Sequence, residues 1–142
     1  NITGVKWTSS DYYGLMKLKQ LTHGQINVLN GPDEMLLMGL TAGADGGIGA
    51  TYNFMFPLFR KIYDCFQQDD LAGAQKYQNQ VTEMITALRA FSTIPAAKAL
   101  LCSKGFAVGT AAFPLKQLDE AQQAQVVRVM TEAGWSNEIF GA

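Results

Sequence analysis

Two hydrophobic rhythms alternate along the first half of the chain. Short apolar runs at 2–6, 26–29 and 44–49 are each followed by a longer stretch with apolar residues every three or four positions. The short runs read as strands: the second ends at Asn30-Gly31-Pro32, and the third is compact and rich in glycine. After the first run, Ser10-Asp11 forms a helix N-cap region. Tyr12 or Tyr13, Leu15, Met16, Leu18 and Leu21 then fall at helical spacing, and Gly24 closes the helix after His23. After the second run, Asp33 and Glu34 open a helix rich in Met and Leu over 35–40, which Gly43 ends. A third helix is predicted over 52–67, with Phe56, Phe59, Ile62, Tyr63 and Phe66 on its apolar side. Strand followed by helix, three times over short connections, is the pattern of parallel βα units. Such a sheet calls for crossover helices and for cover on both sides.

No convincing strand is read in the second half. A long helix over 71–91 carries Leu71, Ala74, Tyr77, Val81, Met84 (or Ile85) and Leu88 on one stripe. A shorter helix over 95–103 has Pro95 in its first turn. Residues 105–114 are an irregular small-residue loop, and Asp119 caps a last helix to about 133. The tail, 134–142, is expected to be a loop packed through Trp135 and Phe140, or frayed. Three parallel strands leave two unpaired edges, so the pattern itself asks where the rest of the sheet lies.

Composition narrows the function classes. The 142 residues make one ordinary domain, and 48% hydrophobic residues suffice for a core. Eleven basic residues against twelve acidic ones give a net charge of -1, which argues against nucleic acid or an anionic membrane as main partner. The longest uncharged run, 46–59, contains glycines, an asparagine and a proline and makes a poor membrane span. No secretory leader pattern is read, and a soluble chain is expected. Cys65 and Cys102 are far apart, and with His23 as the single histidine they form no zinc set. Two free, buried thiols in a reducing compartment are the reading adopted.

The chemistry-bearing residues cluster at the ends of the three strands. There stand Lys6-Trp7-Thr8, then Asn30-Gly31-Pro32-Asp33-Glu34, then Gly47-Ile48-Gly49-Ala50-Thr51. In (β/α) barrels the active site lies at the C-terminal strand ends, so one amine, two adjacent carboxylates, a glycine-rich loop and a hydroxyl would face one mouth. Plain structural roles stand beside these. Lys6 could reach to solvent, Asp33 and Glu34 suit a helix N-terminus, and Gly31 suits a turn. The glycine-rich turn could also be a phosphate loop, but no Walker lysine and no G-x-G-x-x-G spacing accompany it, so nucleotide binding is discounted.

The stretches "GVKWT", "LNGPDE" and "GADGGIGATYN" resemble the last three strand ends of the N-acetylneuraminate lyase group. That group belongs to the pyruvate-dependent class I aldolases of the dihydrodipicolinate synthase-like superfamily. The likeness runs through nearly all of the chain, and the "NG-x-DE" loop favours the sialic-acid branch. It implies an α/β fold, a (β/α)8 TIM barrel, with residues 1–68 as βα units 6–8 and 69–142 as a C-terminal helical extension. The first five strands would come from the same protein or from a partner chain, since a whole barrel needs about 250 residues. By the same likeness, Lys6 is the Schiff-base nucleophile. An ordinary lysine is almost all ammonium at neutral pH, and an apolar barrel interior would favour the neutral, attacking amine. Asp33 and Glu34 would hold the hydroxyls of the sugar chain. Gly31 would let backbone approach the sugar, Gly47, Ile48 and Gly49 would line the pocket floor, and Thr8 would meet a substrate hydroxyl or serve structure. At Ala50, where close relatives often carry a serine that contacts the sugar, the side chain has no hydroxyl. The family's tyrosine and its Ser/Thr pair for the pyruvate carboxylate lie on strands outside this chain. Tyr12, Tyr13 and Tyr52 are not placed at strand ends and receive no such role. The resemblance thus implies a cytoplasmic, homotetrameric lyase. It would use no metal and no cofactor beyond the covalent lysine imine, with pyruvate and a sugar acid as its small-molecule partners. Another 2-keto sugar acid as substrate, a dehydratase, or an inert half-barrel that assembles with a partner are the other readings.

Overall fold

Val5 and Trp7 point to one side of the first strand, and Gly4 and Lys6 to the other, as strand pleating dictates. That alternation organises the sheet in the computed structural model, which describes residues 1–141. Strands β1 (Gly4–Trp7), β2 (Asn27–Asn30) and β3 (Gly46–Gly47) pair in parallel, in the order β1-β2-β3. Register places Lys6 beside Leu29 and Leu29 beside Gly46; one step on, Trp7, Asn30 and Gly47 align. Each strand leads into a helix: α1 (Tyr12–Leu21), α2 (Leu36–Thr41, after a 3-10 turn at Asp33–Met35) and α3 (Tyr52–Gln67). The predicted βα order is therefore present, with β1 and β3 shorter than the apolar runs that announced them and β2 of the same length, one residue further on.

Among the described residues, helices cover only one face of this sheet. Val28 and Leu15 are fully buried there with Ala44, and Val5, Trp7, Tyr12, Leu18 and Ile26 pack around them. Burying side chains of this size contributes about 2 kcal/mol each. The other face carries Gly4, Lys6, Asn27 and Leu29, and all but Leu29 are exposed. Cover on both sides, expected from a parallel sheet, is thus replaced by one covered and one open face. A barrel wall has this property, because its inner face is covered by the strands opposite.

The described residues form two compact units. One holds Asn1–Gly49 and Leu58–Asn79, the other Ala50–Pro57 and the chain from Gln80 onward. In the first, α1 starts at the predicted cap, where the Asp11 side chain accepts from the Gly14 amide. At the N-terminal ends of the strands, Lys19 pairs with Asp45 at 2.8 Å, and Asp45 also accepts from the Val28 amide at 2.7 Å. Lys61 of α3 stacks on the Tyr77 ring of α4 (Leu71–Ala87) at 5.3 Å.

In the second unit α5 (Thr93–Ser103) packs on α6 (Glu120–Glu132), burying Ala96, Leu100, Val126 and Met130. Asp119 caps α6 through a reciprocal box with Gln122. Lys98 ties the following loop down by donating to the Val108 carbonyl at 2.7 Å. The tail forms one more short helix, α7 (Asn137–Phe140). Trp135 is buried and donates to the Phe54 carbonyl, and Phe140 meets its ring edge-on.

Three expectations are corrected. Phe59 and Ile62 of α3 are buried as expected, but Phe56 is 57% exposed, and Phe54, Met55 and Leu58 are buried beside them. Met55 leaves helical dihedrals (φ -137°, ψ 21°) ahead of Pro57, whose ring crowds the preceding turn, so the buried stripe departs from the predicted one at the start of the helix. Leu71 is exposed, and the stripe of α4 instead buries a polar residue, Gln78. The two thiols are free but not buried: Cys65 is half-buried and Cys102 exposed. Among the described residues no helix is long and apolar enough to cross a membrane.

Candidate active site

The C-terminal strand ends are laced together by backbone. The Gly31 amide donates to the Trp7 carbonyl at 2.9 Å, and the Ile48 amide to the Asn30 carbonyl at 3.0 Å. The ladder thus continues past the strands and holds the three predicted loops side by side.

Lys6 projects from the open face, beside Leu29 in register and one pleat below Thr8. It is exposed and makes no hydrogen bond or ion pair among the described residues. Its neighbours across that row are an apolar side chain and, at Gly46, none. The amine is therefore available to a ligand on this face.

Thr8 and Gly31 meet directly. A Cβ at Gly31 would stand 2.9 Å from the Thr8 Cα and overlap its hydroxyl, so only glycine allows this approach. Asp33 and Gly49 meet in the same way. The Asp33 side chain is buried and its carboxylate lies against the Gly49 Cα, where any Cβ would overlap it. Gly47 is half-buried in the third strand, and Ile48 beyond it is 47% exposed.

The adjacent acids separate. Glu34 is exposed and acts on Tyr12: burial, and then the Glu34 charge, push the Tyr12 phenol above its ordinary value. The Tyr12 hydroxyl lies 3.3 Å from the Met35 carbonyl, to which it donates, and 3.5 Å from Asn30 Oδ1. Tyr12 thus supports the acidic loop from the helix side. Ala50, in the second unit, is half-buried and opens α3, its carbonyl accepting from the Asn53 side chain at 2.9 Å. Its methyl group offers no hydrogen bond.

Two supporting residues escaped the sequence reading. Asn30 is fully buried, turned to the helix side, and donates to the Pro32 carbonyl at 2.7 Å; Gly39 of α2 is pressed against it. Gln78 is equally buried and accepts from the Leu37 amide at 2.9 Å. Each left a signal: a polar residue at an inward strand position after Val28, and a glutamine between Ala74 and Val81 on a buried stripe.

Residues 1–133 match the model of the dihydrodipicolinate synthetase family. The chain belongs to this family. Among curated relatives, the N-acetylneuraminate lyase of Rhizobium meliloti (strain 1021) is 38% identical over 124 residues, covering 87% of this chain and 41% of the relative. That of Lactiplantibacillus plantarum is 35% identical over 114 residues, covering 80% and 39%. Among solved structures, Proteus mirabilis N-acetylneuraminate lyase superposes with a TM-score of 0.86 at 28% identity, over 94% of this chain and 45% of that one. The chain thus spans about two-fifths of the length of these curated relatives. Its three βα units and following helices have the architecture of part of a (β/α)8 barrel, the fold expected from the sequence.

Proposed function

We propose that this chain carries the nucleophile and the sugar-binding loops of a Schiff-base aldolase that cleaves N-acetylneuraminate reversibly to N-acetylmannosamine and pyruvate. The observation that carries the reading is the seating of the Asp33 carboxylate on Gly49 at the same sheet end that presents Lys6 and Thr8. The names of the relatives at 35–38% identity support the same substrate.

In this reading the neutral Lys6 amine adds to the C2 ketone of the opened sugar acid, and loss of water gives an iminium. The iminium draws electrons from the C3–C4 bond as the C4 hydroxyl gives up its proton. That bond breaks to release the aldehyde of N-acetylmannosamine and leave an enamine on Lys6. Protonation of the enamine at C3 and addition of water then return pyruvate and the free amine. Asp33, and Glu34 from its exposed position, accept hydrogen bonds from sugar hydroxyls, and Thr8 meets one more. Gly31, Gly47, Ile48, Gly49 and Ala50 shape the floor. The lysine supplies the electron sink, so no cofactor or metal is assigned.

Residues 1–68 would carry the chemistry as βα units 6–8 and residues 69–142 would form the helical extension. The remaining strands of the ring would come from the same protein or a partner chain, in a cytoplasmic homotetramer. Ala50 favours a second reading of the same site, a related aldolase or dehydratase acting on another 2-keto sugar acid, because a hydroxyl contact to the sugar is missing there. Pyruvate with borohydride, applied to the protein with its barrel complete, is expected to reduce the imine onto Lys6. Lys6→Met should abolish the adduct. Labelling elsewhere, or none, would refute the role of Lys6, and turnover of another keto acid with none of N-acetylneuraminate would move the substrate.

A further inference from the structure

Three backbone carbonyls in the loop that carries Asp33 are each met by a side chain from a different element. Asn30, at the end of β2, donates to Pro32, and Tyr12 of α1 donates to Met35. Gln78 of α4 has its Nε2 3.5 Å from the Asp33 carbonyl, while its Oε1 accepts from the Leu37 amide at 2.9 Å. Gln78 therefore bridges Asp33, which opens the 3-10 turn and presents the buried carboxylate, and the Leu37 amide in the first turn of α2, two residues past the end of that turn.

Packing alone does not call for a glutamine here. The position is 2% exposed, between the buried Ala74 and Val81, where leucine or methionine would fill the space without a polar group to satisfy. What the amide adds is a fixed distance between α4 and the Asp33 backbone. Asp33 has little latitude, because its carboxylate fits only where Gly49 lacks a side chain. Displacements of about half an ångström are enough to spoil a binding constellation of this kind.

We propose that Gln78 is a positioning residue, which holds the Asp33–Met35 turn so that the Asp33 carboxylate stays seated over Gly49 and faces the substrate. The proposal deepens the function proposed above and rests on it for the identity of the ligand. The seating of Asp33 is measurable without it.

The test uses the full-length protein. Gln78→Leu removes both contacts. Gln78→Glu keeps the shape, and when protonated it keeps a donor for the Asp33 carbonyl, which it loses on ionising. For Gln78→Leu, the expected result is a KM for N-acetylneuraminate raised about tenfold, with borohydride trapping of pyruvate on Lys6 within about twofold of the parent. A crystal structure should show the carboxylate displaced from Gly49. For Gln78→Glu, KM should be near the parent value at low pH and climb as pH rises. The proposal is overturned if Gln78→Leu folds with Asp33 still on Gly49, if its KM is unchanged, or if KM and trapping deteriorate together in both variants. Should Gln78→Leu fail to fold, the Gln78→Glu profile decides, and a KM with the parent's pH dependence overturns it. A parent protein that neither traps pyruvate nor turns over N-acetylneuraminate sinks the functional reading instead. The crystallographic position of Asp33 in the variants then decides the role of Gln78 by itself.

Discussion

Gly49 has no side chain of its own to contribute, yet its missing Cβ decides where a carboxylate stands. The Asp33 side chain occupies that space, so Gly49→Ala must expel it. The expected outcome is a rise of about tenfold in KM for the sugar acid, roughly one charge-assisted hydrogen bond, with pyruvate trapping on Lys6 retained. Steady-state kinetics beside borohydride labelling check both halves. Tyr12 shows residue chemistry of another kind. Its phenol is held above its ordinary value by burial and by Glu34, so the folded state keeps the proton that the unfolded chain releases near pH ~10. The stability this gives is complete below that pH and is lost as pH climbs towards the raised folded value. Tyr12→Phe should remove that alkaline loss, as urea midpoints measured across the range would show. The sequence pointed to Asp33 and Gly49 separately as site candidates. Their contact was illegible because it joins loops that only the parallel register brings together.

At the scale of elements, the two ends of the β-strands divide the work. The C-terminal ends present Lys6, Thr8 and Asp33, while the N-terminal ends carry the Lys19–Asp45 pair, the side of such folds that serves stability. Burial acts to raise the Asp45 carboxyl. The hydrogen bond and charge of Lys19, with the Val28 amide, outweigh it and hold the group below its ordinary value. The stability it contributes is present above about pH 4 and is lost as pH falls through the lowered folded value. Asp45→Asn should therefore cost about 1 kcal/mol at neutral pH, and less in acid, with trapping on Lys6 unchanged. Denaturant melts at pH 7 and pH 3 make the comparison. Caps and turns were the legible parts of these elements. Asp11 and Asp119 cap as predicted because capping is a property of four consecutive residues. The stripes of α3 and α4 were legible at Phe59, Ile62, Ala74, Val81 and Met84, but not at Phe56, which turns outward next to the non-helical Met55, nor at the buried Gln78, a polar residue beside the predicted Tyr77.

At the scale of the whole molecule, β1 and β3 each have one unpaired edge among the described residues, and the face bearing Lys6 is open. Unpaired edges next to an open face promote association. By itself the 142-residue chain is expected to elute above its 15.5 kDa monomer mass and to trap no pyruvate, while the protein with its ring complete traps it. Size exclusion with the borohydride assay on both samples is the check, and a monomer that labels Lys6 would contradict it. Sequence by itself determined the order of strands and helices, the caps at Asp11 and Asp119, and which candidate residues follow the strand ends. Those follow from periodicities and turn residues that act over a few positions. Tertiary structure alone decided that Asp33 is buried while Glu34 is exposed, that one face of the sheet is bare, and that Gln78 reaches Leu37 across 41 positions of chain. Those outcomes depend on which distant groups share a boundary, and no local pattern encodes that.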